Sequence, residues 1–386
     1  MPDRTPPAPP PGGHRPRRAD TAEFVDPDGG APPAGADVEA VLSGLLDTVG
    51  VTSNRDQLTD MLRTVVRLAV DTSDRLDLKI AAAALREMAD GFEVFAPYRD
   101  VRKITMFGSA RTRPDDPLYE AARNLARLLA RNGWSTVTGA GPGIMAAGLE
   151  GAGPEHAFGI NIRLPFEQSA NQFIATDPKL VSMKYFFTRK LLLIKESWGY
   201  AVLPGGFGTL DEAFELLTLL QTGKAEPAPV VLLELPGGSY WRGWKRFVDE
   251  EVESRQLINP VDACLYRICD GVDDAAAEVI GFYRNHHSVR WVGDTLVLRL
   301  QARPTEAEAA ALSEEFADVV DGRIRVLDTP LAAERRAEEF PDLPRLAMRF
   351  DRMSYGRLRQ LIDRVNQLPS APPPPVITPF AEGAGG

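Results

Sequence analysis

The run Leu203-Pro204-Gly205-Gly206-Phe207-Gly208-Thr209-Leu210-Asp211-Glu212 limits this chain more than any other stretch. The apolar residues Tyr200 to Leu203 read as a buried strand, which breaks into three glycines within four residues. A helical pattern then begins at Thr209 and continues through Ala213, Phe214, Leu216, Leu217 and Leu220. Glycines at a strand-to-helix turn let backbone N–H groups approach an anion, and the helix N-terminus adds partial positive charge. Thr209 is placed to cap that helix and to donate its hydroxyl to a phosphate. Glu212 follows in the first turn, and the plain alternative is a capping box made by Thr209 and Glu212. A capping box leaves Pro204 and the glycines at a buried strand end unexplained. The stretch therefore reads as a phosphate site with a carboxylate beside it.

The remaining bounds are wide. A chain of 386 residues fits two or three domains. A net charge of −10 and a pI near 5.1 argue against a general nucleic-acid binder, which needs a basic face. Cys264 and Cys269 fall in a segment read as a strand, on opposite faces, so two buried thiols are expected rather than a disulfide. No apolar run reaches membrane-spanning length and the N-terminus lacks a signal-peptide core, so a cytoplasmic protein is expected.

Composition divides the chain. Residues 1–36, rich in Pro, Gly, Ala and charge, and the tail 370–386 are expected to be disordered. Residues 37–98 carry three amphipathic helices, on the faces Val38/Val41/Leu42/Leu45/Leu46, Leu58/Met61/Leu62/Val65/Val66/Leu68 and Leu78 to Met88. Three short helices bury little alone, so they need the main domain or a second subunit.

From residue 99 to 288 strand and helix alternate. Strands are expected at Lys103–Phe107, Ser135–Thr138, Ala157–Ile162, Leu180–Met183, Tyr200–Leu203, Val230–Leu235 and Cys264–Ile268, with helices between most of them, including Leu118–Arg131 and Tyr240–Glu253. The fold class is α/β: a doubly wound, Rossmann-like parallel sheet with an N-terminal helical region and a small C-terminal α+β domain. Residues 289–369 supply that domain in the order strand 295–300, helix 305–320, strand 323–327, strand 345–350, helix 355–368, which suggests a ferredoxin-like sandwich. Its arginines Arg345, Arg349, Arg352, Arg357, Arg359 and Arg364 read first as a solvated surface, and secondarily as an effector or nucleic-acid contact.

Ligands of doubly wound sheets bind outside the carboxyl ends of the strands. Three strand ends here carry glycines: Gly108-Ser109, Gly139-Ala140-Gly141-Pro142-Gly143-Ile144-Met145, and the Gly205 turn. One cluster alone marks only a tight turn; three on one edge outline a nucleotide-sized site. Gly139 does not open a dinucleotide fingerprint, because Ile144 stands where the third glycine belongs. No Gly-Lys-Ser/Thr loop, metal-ligand set or Ser/His/Asp set is visible, and His156 is the one histidine near the clusters. His286 and His287 read as a helix end. Arg189, between Phe187 and the apolar run Leu191 to Ile194, reads as a functional cation rather than a surface charge. An arginine and a glutamate around a phosphate-bearing ligand suit bond breaking at a sugar C1′, where the carboxylate stabilises oxocarbenium-like charge or activates water.

These residues resemble the Lonely Guy family, the cytokinin-activating nucleoside 5′-monophosphate phosphoribohydrolases, often mislabelled lysine decarboxylases. The resemblance covers roughly residues 100–287. Its signature Pro-Gly-Gly-x-Gly-Thr-x-x-Glu is met in full from Pro204 to Glu212; its Gly-Ser start is matched at Gly108-Ser109 and its second glycine loop loosely at Gly139 to Met145. The Met-x-x-Arg-Lys element is met only by Arg189-Lys190, with Tyr185 to Phe187 replacing a polar lead-in and Met183 further upstream. The resemblance implies that Arg189 and Glu212 are the catalytic pair and that Gly205, Gly206, Gly208 and Thr209 hold the phosphate, with Asp211 and Lys190 among the substrate-binding residues. Glu167 and Thr218 align with substrate contacts. It also implies dimers or larger assemblies with sites near subunit boundaries, and neither a metal nor another cofactor. The decarboxylase label finds no pyridoxal-phosphate lysine context around Lys190.

Two functions remain open on the sequence. One is hydrolysis of AMP or an N6-modified AMP to free base and ribose 5-phosphate. The alternative is a nucleotide sensor that binds without turnover and signals through the C-terminal domain; a third, a structural interaction module, leaves the glycine clusters unexplained.

Overall fold

A computed structural model describes residues 36–71, 74–163, 170–337 and 339–378. Contacts divide these into two compact units, one up to Ala89 and one from Asp90 onward. The first holds helices α1 (Ala36–Thr48), α2 (Arg55–Asp71) and most of α3 (Arg75–Phe95). It buries Leu42, Leu46 and Ala84, with Arg55 tying the α1–α2 turn to Asp47 at 2.8 Å.

The second unit begins with a seven-stranded sheet. Its elements in order are β1 (Lys103–Phe107), α4 (Pro117–Arg131), β2 (Ser135–Thr138), α5 (Ile144–Ala152), β3 (Ala157–Ile162), β4 (Leu180–Met183), α6 (Phe186–Lys195), β5 (Gly199–Val202), α7 (Phe207–Gln221), β6 (Val230–Glu234), α8 (Tyr240–Phe247), β7 (Arg267–Asp270) and α9 (Val272–Gly281). The strands lie in the order β4-β3-β2-β1-β5-β6-β7 and all pairings are parallel. β1, β2, β5 and β6 are buried at every residue, as a sheet covered on both faces demands. Alternate residues serve opposite cores: Ala201, Leu203, Val231 and Leu233 pack with α4, α5 and α9, while Tyr200, Val202, Val230 and Leu232 pack with α6, α7 and α8. The chain leaves β1 toward β2 on one side and returns to β5 on the other, so the topological switch lies between β1 and β5.

Several expected elements shift. Residues 260–265, Cys264 among them, form a 3₁₀ turn rather than part of a strand; both cysteines are free, and only Cys269 is fully buried, in β7. The expected helix over 240–253 is α-helical to Phe247 and widens to a π turn over Val248–Glu253.

After α9 come β8 (His286–Val292), β9 (Thr295–Leu300), α10 (Glu306–Glu315), β10 (Val320–Leu327), α11 (Ala332–Arg336), β11 (Arg345–Phe350) and α12 (Tyr355–Asn366). This antiparallel sheet has the order β10-β11-β9-β8. β9, α10, β10, β11 and α12 make the split βαβ arrangement of a ferredoxin-like sandwich, but the fourth strand, β8, precedes β9 instead of following α12. His286 and His287 therefore sit in a buried strand, not at a helix end. The sequence reading missed β8, although Val289 and Trp291 alternate with polar residues and Gly293-Asp294 makes a hairpin turn, with Gly293 at φ +56°.

Two of the six arginines read as solvated are buried. Arg345 is 0% exposed and Arg359 7%, each among carboxylates. The tail is anchored as far as it is described: Ala371 and Ile377 pack on the core, Arg284 donates to the Pro372 carbonyl (2.6 Å), and the Thr378 amide donates to Asn132 (3.2 Å). No helix among the described residues is long and apolar enough to cross a membrane.

Candidate functional site

At the switch point the loops after β1, β2 and β5 are stitched together. The Ser109 amide donates to the Pro204 carbonyl (3.3 Å), and the Ile144 amide donates to the Ser109 carbonyl (3.0 Å). Glycine is required where these loops meet. A Cβ at Gly143, which has φ +68°, would lie 2.3 Å from the Ser109 carbonyl oxygen, and one at Gly205 would lie 2.2 Å from the Thr209 hydroxyl.

A cavity of about 860 Å³ opens over this edge. Among the residues that line it are Gly108, Ser109, Gly139, Met145, Arg189, Gly205, Gly206, Gly208, Thr209, Asp211 and Glu212. The structure thus brings together the three glycine clusters, the arginine and the glutamate.

One local expectation is corrected. α7 starts at Phe207 with Gly206 as its N-cap, so Thr209 is already helical and no Thr209–Glu212 capping box exists. The glycines do not stop the helix from starting early, and no side chain among the described residues caps it. The Thr209 and Leu210 amides donate to the Gly206 carbonyl. The amides of Phe207 and Gly208 come too early in the helix for an intrahelical acceptor, the position where a helix start favours negative charge.

Arg189 projects from α6 across the sheet edge. Its Nε donates to the Ile160 carbonyl (2.9 Å) and Nη2 to the Gly139 carbonyl (3.3 Å). A Cβ at Gly139 would lie 1.8 Å from Nη2, so the absence of a side chain there is what admits the guanidinium. Glu212, one turn into α7, is 7% exposed, and its Oε2 has no hydrogen-bond partner among the described residues. Burial pushes its pKa up to about 7, against the pull of the Lys190 and Arg189 charges. Lys190 sits outside the lining, bridging Asp211 (2.7 Å) and Glu215 (2.6 Å). Burial lowers its pKa, but hydrogen bonds to those two carboxylates outweigh it and hold the ammonium above its usual range.

Thr218, Gly141, Gly143 and His156 do not line the cavity. Thr218 is exposed on α7 and returns its hydroxyl to the Phe214 carbonyl (2.8 Å), a common fate for threonine inside a helix. Gly141 and Gly143 shape the β2 loop without lining the cavity. Glu167 lies outside the described residues. His156 precedes β3 at the opposite end of the sheet, beside Ser135.

The sequence reading missed Met106, Arg111, Leu193 and Tyr240 as lining residues. Tyr240 carried a usable signal: Gly237-Gly238-Ser239-Tyr240 follows β6, another carboxyl end on the same edge.

Fold and site together define a doubly wound α/β protein with a glycine-lined, carboxylate-bearing cavity at its switch point. The family model described as "Possible lysine decarboxylase" matches residues 142–279. A "Probable cytokinin riboside 5′-monophosphate phosphoribohydrolase" of Arabidopsis thaliana is 30% identical over 143 residues, 36% of this chain and 68% of that protein. The chain belongs to this family, the Lonely Guy proteins. A "Bifunctional cytokinin biosynthesis protein" of Fusarium pseudograminearum is also 30% identical, over 50% of this chain but only 43% of its own length. Among solved structures, the molybdenum cofactor carrier protein of Chlamydomonas reinhardtii is 22% identical, covering 46% of this chain and 93% of its own, with a TM-score of 0.33. The DNA processing protein A of Streptococcus pneumoniae is 13% identical, covering 62% and 86%, with a TM-score of 0.35.

Proposed function

We propose that the chain hydrolyses the N-glycosidic bond of a nucleoside 5′-monophosphate, AMP or an N6-modified AMP, to free base and ribose 5-phosphate. The observation that carries this reading is Glu212: a buried carboxylate with an unbonded oxygen, lining the same cavity as the uncapped start of α7. The phosphate would take the amides of Gly206, Phe207 and Gly208 and the Thr209 hydroxyl. That grip fixes C1′ relative to Glu212. As the C1′–N bond breaks, its electron pair leaves with the base and positive charge develops on the ribose, which the carboxylate stabilises. Glu212 then takes a proton from the water that attacks C1′, and a proton returns to the base. With a pKa near neutrality it can perform both roles at pH 7. Arg189, oriented by two backbone carbonyls, steadies the ligand or the departing charge.

The surroundings of Lys190 do not favour the lysine decarboxylase that the family description names. A Schiff-base lysine must lose its proton, and the carboxylates around Lys190 act against that. A second copy of the chain is also part of the proposal. Phe186, Phe187 and Leu191 on α6, with Phe207 and Phe214 on α7, leave apolar surface exposed beside the cavity; Phe207 is 93% exposed. Light scattering should give a dimer or larger assembly that Leu191→Glu disrupts.

The test of the activity is release of base and ribose 5-phosphate from a panel of nucleoside monophosphates. No release from any nucleotide, with binding intact, would overturn the hydrolase.

A further inference from the structure

We infer that Tyr240 is a positioning residue for the anion-binding turn, holding the Gly205 carbonyl so that the turn offers donors to the phosphate. The inference rests on the phosphate-binding part of the function proposed above.

The turn Pro204-Gly205-Gly206 has almost no side chain of its own to fix its peptide planes, yet each of its three carbonyls is accounted for. The Pro204 carbonyl accepts from the Ser109 amide (3.3 Å), and the Gly206 carbonyl accepts from the amides of Thr209 (3.0 Å) and Leu210 (3.1 Å). The middle one, Gly205, accepts from the Tyr240 hydroxyl at 2.6 Å. It is the only one of the three held by a side chain among the described residues. In a trans peptide the C=O and the following N–H point in opposite directions. Fixing the Gly205 oxygen against Tyr240 therefore turns the Gly206 N–H the other way. Without that bond the flexible plane could rotate and present a carbonyl oxygen, which repels an anion, where a donor is needed.

Tyr240 is itself rigidly placed. It opens α8, and the next amide, Trp241 N–H, donates to the Glu234 carboxylate at the end of β6 (2.8 Å). The Trp241 indole donates to the Leu233 carbonyl (3.1 Å), and its fully buried ring meets the Tyr240 ring edge-on at 4.8 Å. Gly238 lets the turn close over Glu234, since a Cβ there would lie 2.2 Å from the carboxylate. Strand β6 thereby fixes a hydroxyl on the neighbouring strand's loop, and Tyr240 also lines the cavity.

Tyr240→Phe keeps the ring and its packing and removes only the donor. In the full chain, calorimetry with inorganic phosphate and with ribose 5-phosphate should show both affinities falling roughly tenfold. KM for the nucleotide should rise by a similar factor while kcat stays within about twofold, the pattern of lost uniform binding. A merely structural role would lower the yield of folded protein without this split. Phosphate and ribose 5-phosphate affinities equal to wild type would overturn the inference, and if such a variant still releases base the hydrolase reading stands. A tenfold loss of phosphate affinity in a protein that releases no base would support Tyr240 and sink the hydrolase instead. A wild type that binds neither anion would remove the phosphate-binding turn and the role of Tyr240 with it, whether or not base is released.

Discussion

Glu212 and Glu334 are the same residue in nearly the same degree of burial, and their surroundings drive them in opposite directions. Glu334, on α11, is 0% exposed and accepts from Arg299 (2.9 and 2.8 Å), from Arg345 (3.3 Å) and from the Leu331 amide (3.1 Å). Burial raises its pKa, but those hydrogen bonds and the two guanidinium charges outweigh it and keep it below the usual range. The network continues from Arg299 to Glu339 at 2.6 Å and from Glu339 to Arg290, so it clamps the β10–β11 connection onto β8, β9 and β11. Among the described residues Glu212 has no such partner for Oε2, and burial raises its pKa to about 7. One carboxylate holds structure because its oxygens are occupied. The other keeps an oxygen without a partner among the described residues, at a cost in stability that the surrounding sheet carries.

The largest expected effect tests that contrast directly. Glu212→Gln should lower kcat/KM roughly 10³-fold with the fold intact; full activity in a normally folded variant would remove Glu212 from the chemistry. Glu334→Ala should do the reverse, costing about 3–5 kcal/mol of unfolding free energy by stranding Arg299 and Arg345 in the interior. Its folded fraction should keep wild-type kcat, and a normal melting temperature would show that the network is not what holds this region. Gly139→Ala should lower kcat/KM about 10²-fold by displacing the Arg189 guanidinium; retained activity would mean that Arg189 needs no fixed seat.

The pH dependences should diverge as well. Since the folded pKa of Glu212 is above the unfolded value of 4.5, its contribution to stability is fully present below 4.5 and is lost as pH rises through 7. Glu212→Gln should therefore be more stable than wild type at pH 8, by on the order of 3 kcal/mol at most, and the gain should fade toward pH 5. Glu334 has the opposite sign: its contribution is present above its unfolded pKa and is lost as pH falls through its depressed folded value. Denaturant titrations at several pH values check both signs. In parallel, kcat/KM of the wild type should rise with pH through about 7 if ionised Glu212 is the working form. The smallest effect belongs to Thr218→Ala, expected to change kcat/KM by less than about twofold because its hydroxyl serves Phe214. A larger loss would place Thr218 at a ligand after all.

The sheet and the glycine-marked edge were legible because they depend on local rules. Uninterrupted apolar runs such as Val230 to Leu233 suit strands buried on both faces, and glycines at strand ends signal close backbone approach. Arg189 and Glu212 could be named for the same reason, as charges set beside apolar periodicity and a helix start. Local rules failed where a residue's partner is remote in sequence. Arg345 reads as a surface charge until Glu334 and the carbonyls of Glu339 and Phe340 surround it. Tyr240 reads as an ordinary helix start until the sheet order brings β6 beside β5 and its hydroxyl beneath Gly205. Thr218 shows the converse, matched by sequence position yet turned outward by the helix. By itself the sequence determined the pattern of elements and the edge where a ligand would bind, because periodicity and glycine act within a few residues. Only the tertiary structure decided which charges are paired and which carboxylate stays open, because pairing and desolvation depend on neighbours that the chain reaches only by folding.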